Sequence, residues 1–454
     1  MPVVAEARRD GSVDDEYVAP NWVFSRLRAL GGADTVIQYN HPRAGVAGLT
    51  SIGFFNSIGC QRCANAIDTP CTLDADCPAG AGQECTCVGY QPDRTLGEAP
   101  NDLLLDTGVR GPGTTANPDG VRNLDFDVME IANGAREGDF EALLAVRDDW
   151  FSLLAQDGRK FGTAVSDSHR ATLEHAGWGR TFVLGAGDDP AALDVPAFNA
   201  RVRAGAMVLS TGPYVEVTAR AGKSRAGIGE ALPTANGKVT LAIRVTSPAW
   251  IPVDEVRVLV NGAVVERFDA STKPRVRPVP SDFESSGKTM RFKSSRKLTL
   301  DGDAYVIVEA GVAIPGDGAP GPTAPEVMNQ VVQGVVPYAA TNPIFVDVGG
   351  DGYTAPGLGG AALARARTGR MTGVTRAERE AAIAAGTYLP IYRIRLSDPA
   401  GGAEPVSCGI HGAAGVCGGT CPEGGICQYW PSPIPPPCSG PPVCTCFPPP
   451  VARQ

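Results

Sequence analysis

The cysteines of this chain are segregated, and that divides what must fold on hydrophobic burial from what can be stapled. Of 13 cysteines, Cys60, Cys63, Cys71, Cys77, Cys85 and Cys87 form one cluster. Cys408, Cys417, Cys421, Cys427, Cys438, Cys444 and Cys446 form another, and residues 88 to 407 hold none. The long middle therefore folds without cross-links. Dense, Gly/Pro-rich cysteine clusters read as disulfide-stapled loops made in an oxidising compartment, which points to an extracellular, periplasmic or cell-surface protein. A competing reading takes Cys60-x-x-Cys63 and Cys85-x-Cys87 as a zinc module. The second cluster is odd in number, which leaves one thiol free or paired to another chain. The opening residues, Met-Pro-Val-Val-Ala-Glu-Ala-Arg-Arg-Asp, lack the apolar stretch of a signal peptide. A disulfide-rich chain without one suggests a start that has been shortened.

With 56 glycines and 39 prolines in 454 residues, strands, turns and loops are favoured over long helices. The net charge of −9 supplies no basic stripe, which argues against a nucleic-acid partner. No apolar run reaches the length of a transmembrane segment.

The hydrophobic period changes along the chain. From 1 to 205 strands alternate with helices, the signature of parallel strands flanked by helices. A helix is expected over Asn21–Leu30, ending at Gly31-Gly32, then a strand over Thr35–Tyr39. Residues 44–120 form an insertion carrying the first cysteine cluster. A strand over Phe126–Ile131, a helix over Asp148–Gln156 and a strand over Phe161–Val165 follow. From 206 to 355 the period falls to two, with strands expected at Tyr214, Val239, Val256, Lys297 and Ala304. Asn261-Gly262 is a strong hairpin signal between two of them. This is the pattern of a β-sandwich. Residues 356–407 form an extension in which Thr375-Arg-Ala-Glu378 is a capping box opening a short helix. Residues 408–454 form a Cys/Pro-rich tail.

Functional side chains gather at the C-terminal ends of parallel strands. His41 follows the strand at 35–39, Asp167 and His169 follow the strand at 161–165, and Glu130 sits near the end of the strand between them. Strand pleating puts Asp167 and His169 on one face. Imidazole plus carboxylate is a ligand set for zinc, manganese or iron. Taken singly these residues have plainer readings: His41 as a turn histidine before Pro42, Asp167 as an Asx turn or helix cap. Glu130 reads equally as ligand, base or pocket wall. Arg43 and Arg170 each follow one of the histidines and could receive an anionic substrate. Ser166 and Ser168 alternate away from Asp167 and His169, against a serine triad. His175 has no evident partner, and His411, within the tail, reads as structural. Asp347-Val-Gly-Gly-Asp-Gly352 reads as a turn after a strand, because the last ligand position of a calcium loop is Leu358.

These motifs, in this order, resemble the PHP superfamily (polymerase and histidinol phosphatase type), most closely its CehA/McbA-like metallohydrolases. Asn40-His-Pro-Arg43 looks like the family's NHPR segment, Glu130-Ile-Ala-Asn-Gly134 like its glutamate strand, and Ser166-Asp-Ser-His169 like its closing SDSH motif. Ser210-Thr-Gly-Pro213 is similar to the step into an appended β-domain, and Thr341–Asp347 to that domain's last strand. The resemblance covers about residues 20–355 without the insertion. It implies an α/β plus all-β protein: the C-terminal part of a distorted (β/α)7 barrel followed by a β-sandwich. It also implies divalent metal ions (Zn, Mn or Fe) held by His41, Asp167 and His169. The family builds the rest of its site from an opening His-x-His and further ligands upstream of NHPR, and this chain has no histidine before His41.

The expected function is a metal-dependent hydrolase of phosphoester or carboxyl/carbamate ester bonds acting through metal-activated water. Its substrate would be a small anion or ester, and the missing upstream ligands put its activity in question. The alternative is a non-catalytic extracellular binding or adhesion protein using the β-sandwich and the disulfide-rich modules.

Overall fold

Pro20 opens the first helix, α1 (Pro20–Gly31), where its missing N–H costs nothing and its fixed φ suits the first turn. Gly32, at φ +74°, ends it by donating its N–H back to the carbonyl of Arg28. The computed structural model of the chain describes residues 20–32, 34–43, 55, 62–71, 74–86, 89–105, 120–134, 140–156, 159–168, 176–187, 189–277, 289–314 and 321–358, with four short strands between 409 and 447. The expected helix in 375–385, the proline run 431–442, and His169, Arg170 and His175 lie outside the described residues.

The chain divides into two compact units, Met1–Ile394 and Arg395–Gln454. In the first, β1 (Gln38–Tyr39), β5 (Val128–Asn133) and β6 (Phe161–Val165) form a parallel three-stranded sheet in the order β1-β5-β6. The helix α2 (Phe140–Gln156) makes the crossover from β5 to β6. It begins eight residues earlier than its amphipathic core at 148 suggests. Parallel strands covered on both faces read as continuous apolar runs, and β5 is buried along almost its whole length. Glu130 breaks that run. The sheet is open, and no closed barrel forms among the described residues.

Within the cysteine-rich insertion, β2 (Arg62–Cys63), β3 (Ala66–Pro70) and β4 (Cys85–Thr86) form a small antiparallel sheet, order β3-β2-β4. Its interior is sulfur: disulfides Cys63–Cys77 and Cys71–Cys85 each span a sequence separation of 14.

The remaining strands build two packed sheets. The larger, of eight strands, contains β7 (Arg180–Val183), β8 (Met207–Ser210), β11 (Ala231–Thr234), β13 (Glu255–Val260), β14 (Ala263–Phe268), β16 (Ala304–Gly311), β17 (Tyr338–Thr341) and β18 (Ile344–Val348). The smaller runs β10-β9-β12-β15, from β9 (Tyr214–Ala221), β10 (Ser224–Ala226), β12 (Lys238–Thr246) and β15 (Met290–Thr299). Asn261 and Gly262, at φ +50° and +80°, make the expected hairpin turn between β13 and β14. Strands β9 and β12 alternate buried and exposed residues, so only one face of the small sheet is covered. Val215, Val217, Leu241 and Ile243 from that face meet Val258, Val306, Val308 and Val346 of the large sheet. Each such buried side chain contributes roughly 1.5–3 kcal/mol.

The large sheet is buried on its other face as well. Leu209, Tyr305, Ile307, Tyr338 and Phe345 join Trp150, Phe151 and Leu154 of α2 in a second core. This explains why β16 is buried at every position. A charged network crosses the same junction. Arg147 of α2 reaches Glu309 of β16 at 3.1 Å, and Arg257 and the Tyr338 hydroxyl donate to Glu309 at 2.9 and 2.8 Å. Burial pushes the Glu309 carboxyl up, but the two guanidiniums outweigh it and hold it below the usual range.

The free edge of β6 is closed by side chains instead of a strand. The Asn342 amide accepts from Gly162 N–H and donates to Gly162 C=O at 2.7 and 2.9 Å. The Thr181 hydroxyl does the same for Ala164, at 3.0 Å each way. An edge covered in this manner cannot pair with another chain. In the second unit, β19 (Gly409–His411) pairs antiparallel with β20 (Val416–Gly418), and β21 (Ile426–Trp430) with β22 (Val443–Phe447).

Candidate functional site

Three adjacent parallel strands deliver His41, Glu130 and Asp167 to one place. His41 follows β1 by two residues, Asp167 follows β6 by two residues, and Glu130 lies within β5. The His41 imidazole stands between the carboxylates, its Nδ1 3.9 Å from Glu130 Oε1 and its Nε2 3.6 Å from Asp167 Oδ2. Glu130 is almost fully covered at 4% side-chain exposure, while Asp167 and His41 are partly open at 31% and 40%. The site thus sets one buried carboxylate beside two partly exposed side chains.

The local backbone is held away from its preferred conformations. His41 and Asp167 have φ of +46° and +45°. Among the described residues the one other non-glycine at positive φ is Asn261, where a hairpin turn demands it. A non-glycine residue in this region costs about 1–3 kcal/mol and survives where the surroundings over-determine it. Both strained residues stand against Glu130, the strongest geometric mark of a functional site among the described residues. Glycines make room for it. Gly134 donates its N–H to the Val165 carbonyl at 2.8 Å, and a Cβ at Gly179 would lie 2.0 Å from that same oxygen.

A β-bulge adds a fourth member. Glu130 pairs with Thr163 and Ala132 with Ala164, so Ile131 is an extra residue in β5. In a regular strand Glu130 and Asn133 would face opposite sides. The bulge turns Asn133 onto the side of Glu130, where its amide donates to Glu130 Oε1 at 3.1 Å and Asp167 Oδ2 at 3.0 Å. Burial raises the Glu130 carboxyl above its usual range; the His41 imidazole and the Asn133 amide oppose the shift, and Asp167 adds to it.

Arg43 occupies a different role from the anion receptor expected of it. Its fork closes on Asp149 of α2, with Nη2 donating to Oδ1 at 2.8 Å and Nε donating to Oδ2. Asp149 is fully buried, so this guanidinium is turned into the protein. Asn133 and Asp149 were not singled out by the sequence reading. The signal for Asn133 lay in Glu130-Ile-Ala-Asn-Gly134, where only the glutamate was given a role. Asp149 carried no signal, because nothing in the sequence says which face of the helix meets Arg43.

The donor chemistry fits a divalent cation: one imidazole and two carboxylates, with His169 two residues beyond Asp167. The two imidazole nitrogens address different carboxylates, so the described donors do not all converge on one point. Among the described residues the set of three or more metal-type side chains whose donor atoms lie within 4.8 Å of one another is Cys63, Cys71 and Cys77. Their sulfurs are spent in disulfides, Cys63–Cys77 and Cys71–Cys85, which replace the zinc reading of Cys63 and Cys85. The Asp347 segment is a turn, its carboxylate accepting from Gly350 and Gly352 N–H at 3.1 Å each. No helix among the described residues is long and apolar enough to cross a membrane. Comparison with protein-family models, with curated proteins and with solved structures returns no match.

Proposed function

We propose that the chain is a metal-dependent hydrolase of phosphoester or carboxyl/carbamate ester bonds, built on the C-terminal strands of a PHP-like barrel. One observation carries the reading: His41 and Asp167, both strained, flank buried Glu130 at the C-terminal ends of neighbouring parallel strands. His41, Asp167 and His169 would hold the ion, a zinc, manganese or iron. When bound, such an ion supplies Lewis acidity and lowers the pKa of water toward neutrality. Glu130 has the environment of a proton acceptor: its carboxyl is covered, and that burial raises it above the usual range. Asn133 holds both carboxylates in place through its two donors. Arg170 remains the candidate for orienting an anionic substrate. The two disulfides support synthesis in an oxidising compartment and hence an extracellular or periplasmic setting.

A second reading rests on the same triad. His41 set beside two carboxylates that Asn133 already bonds is also a network that needs no ion, which suits a non-catalytic binding protein. Metal analysis of the purified chain separates them, with Asp167→Ala and His169→Ala as controls and aryl phosphate, ester and carbamate substrates as probes. Bound metal lost in both variants, together with metal-dependent hydrolysis, supports the hydrolase. No bound metal and no metal-dependent hydrolysis in the unaltered chain would exclude it.

A further inference from the structure

We propose that Arg43 and Asp149 form a clamp that positions His41, making Arg43 a positioning residue and not a substrate-binding one. The inference rests on His41 being a ligand in the proposed site. His41 is held in the left-handed region and is followed by Pro42, which narrows the backbone choices of the residue before it. Something must hold such a residue from both sides. On the upstream side, Gln38 and Tyr39 are fixed in the sheet against Val128 and Met129. On the downstream side, the Pro42 carbonyl accepts from Phe55 N–H at 2.8 Å and Arg43 closes its bidentate fork on Asp149.

The fork matters because a guanidinium and a carboxylate in two parallel hydrogen bonds fix orientation as well as distance. Asp149 is itself enclosed by the protein. It is fully buried in α2, and Arg147 of that helix is tied to Glu309 of the large sheet. The clamp thus connects the strained ligand, through one helix turn, to the packed β-sheets. Arg43 is largely buried with its charge already met, so it has little left to offer a substrate.

The test uses the full chain with histidine labelled at Cε1, whose four resonances are assigned with a His41→Gln variant. Removing both charges together, Arg43→Met with Asp149→Leu, avoids leaving one buried charge alone. Arg43→Lys keeps the charge and loses the fork. Arg296→Ala, which breaks the Arg296–Glu266 pair on the β-sheets, controls for general loss of stability. The clamp predicts that the His41 resonance of the metal-free protein moves toward that of free imidazole in the double variant. In Arg43→Lys it moves partway, and in Arg296→Ala it stays in place. Affinity for Co2+ should fall about tenfold or more in the double variant, as for other supports of a metal ligand. An unmoved His41 resonance in the double variant overturns the proposal. If the double variant does not fold, an unmoved resonance in Arg43→Lys overturns it. If the unaltered chain binds neither Co2+ nor Zn2+, Mn2+ or Fe2+, the hydrolase reading fails while the resonance still decides the clamp.

Discussion

Asp148 is a buried carboxyl that the fold does not satisfy, and replacing it should stabilise the protein in a pH-dependent way. It is 2% exposed, neither oxygen has a partner at normal hydrogen-bond length, and Arg147 approaches Oδ1 only at 3.5 Å. Burial is the largest influence, pushing the carboxyl up from 3.8 to about 7; Arg147 opposes it, and Asp149 and Glu309 reinforce it. A carboxyl raised on folding holds its proton longer in the folded state than in the unfolded one. Stability therefore falls as pH rises from 3.8 through about 7, and is flat above and below that window. At about 1.4 kcal/mol per unit, ionising Asp148 costs the folded state up to about 4 kcal/mol at pH 8. Asp148→Asn has nearly the same shape and no charge to bury. Urea unfolding at pH 4 and pH 8 should show the two proteins nearly equal at pH 4 and the variant more stable by about 2–4 kcal/mol at pH 8. A variant that is less stable than the unaltered protein at pH 8 would show that the Arg147–Asp148 attraction outweighs desolvation, and the reasoning would be wrong.

Asn342→Ala strips both hydrogen bonds from Gly162 and should cost about 2–3 kcal/mol in urea unfolding, with faster hydrogen exchange at the Gly162 amide; protection equal to the unaltered protein would refute it. Gly179→Ala drives a Cβ into the Val165 carbonyl and should lower the thermal midpoint, with loss of the site geometry around Asp167. Asn133→Ala leaves the fold intact but frees both carboxylates, so hydrolytic rate should fall about 10–100-fold without change in the far-ultraviolet dichroism.

Elements long enough to show a period were readable in the residues. The strand Phe161–Val165, the alternating strands of the β-sheets and the Asn261-Gly262 turn each obey a local rule, and each stands where that rule places it. The helix α2 was read too short: Phe140, Leu143 and Leu144 carry the buried stripe of Trp150, Phe151 and Leu154 upstream, but Arg147, Asp148 and Asp149 interrupt the apolar run between them. No strand was expected at 180–183, within the portion read as parallel; these residues form β7, which pairs antiparallel with β8 in the large sheet. Pairing of that kind is set by tertiary packing and leaves no local trace. At the site, His41, Glu130 and Asp167 were legible because strand ends and residue chemistry mark them. Asn133 was not, since a single-residue bulge at Ile131 decides which way it faces. Arg43 was legible as a charge but not as a clamp, because its partner lies 106 residues away on a helix.

Most depends on whether His41 and Asp167, with His169, hold a divalent ion beside Glu130. Equilibrium titration of the purified, metal-stripped chain with Zn2+, Mn2+ and Fe2+, alongside His41→Gln and Asp167→Ala, tests it directly. The account predicts a bound ion in the unaltered chain and weaker binding, by at least about tenfold, in each variant. Binding that is absent from the unaltered chain, or that survives unchanged in both variants, would contradict it.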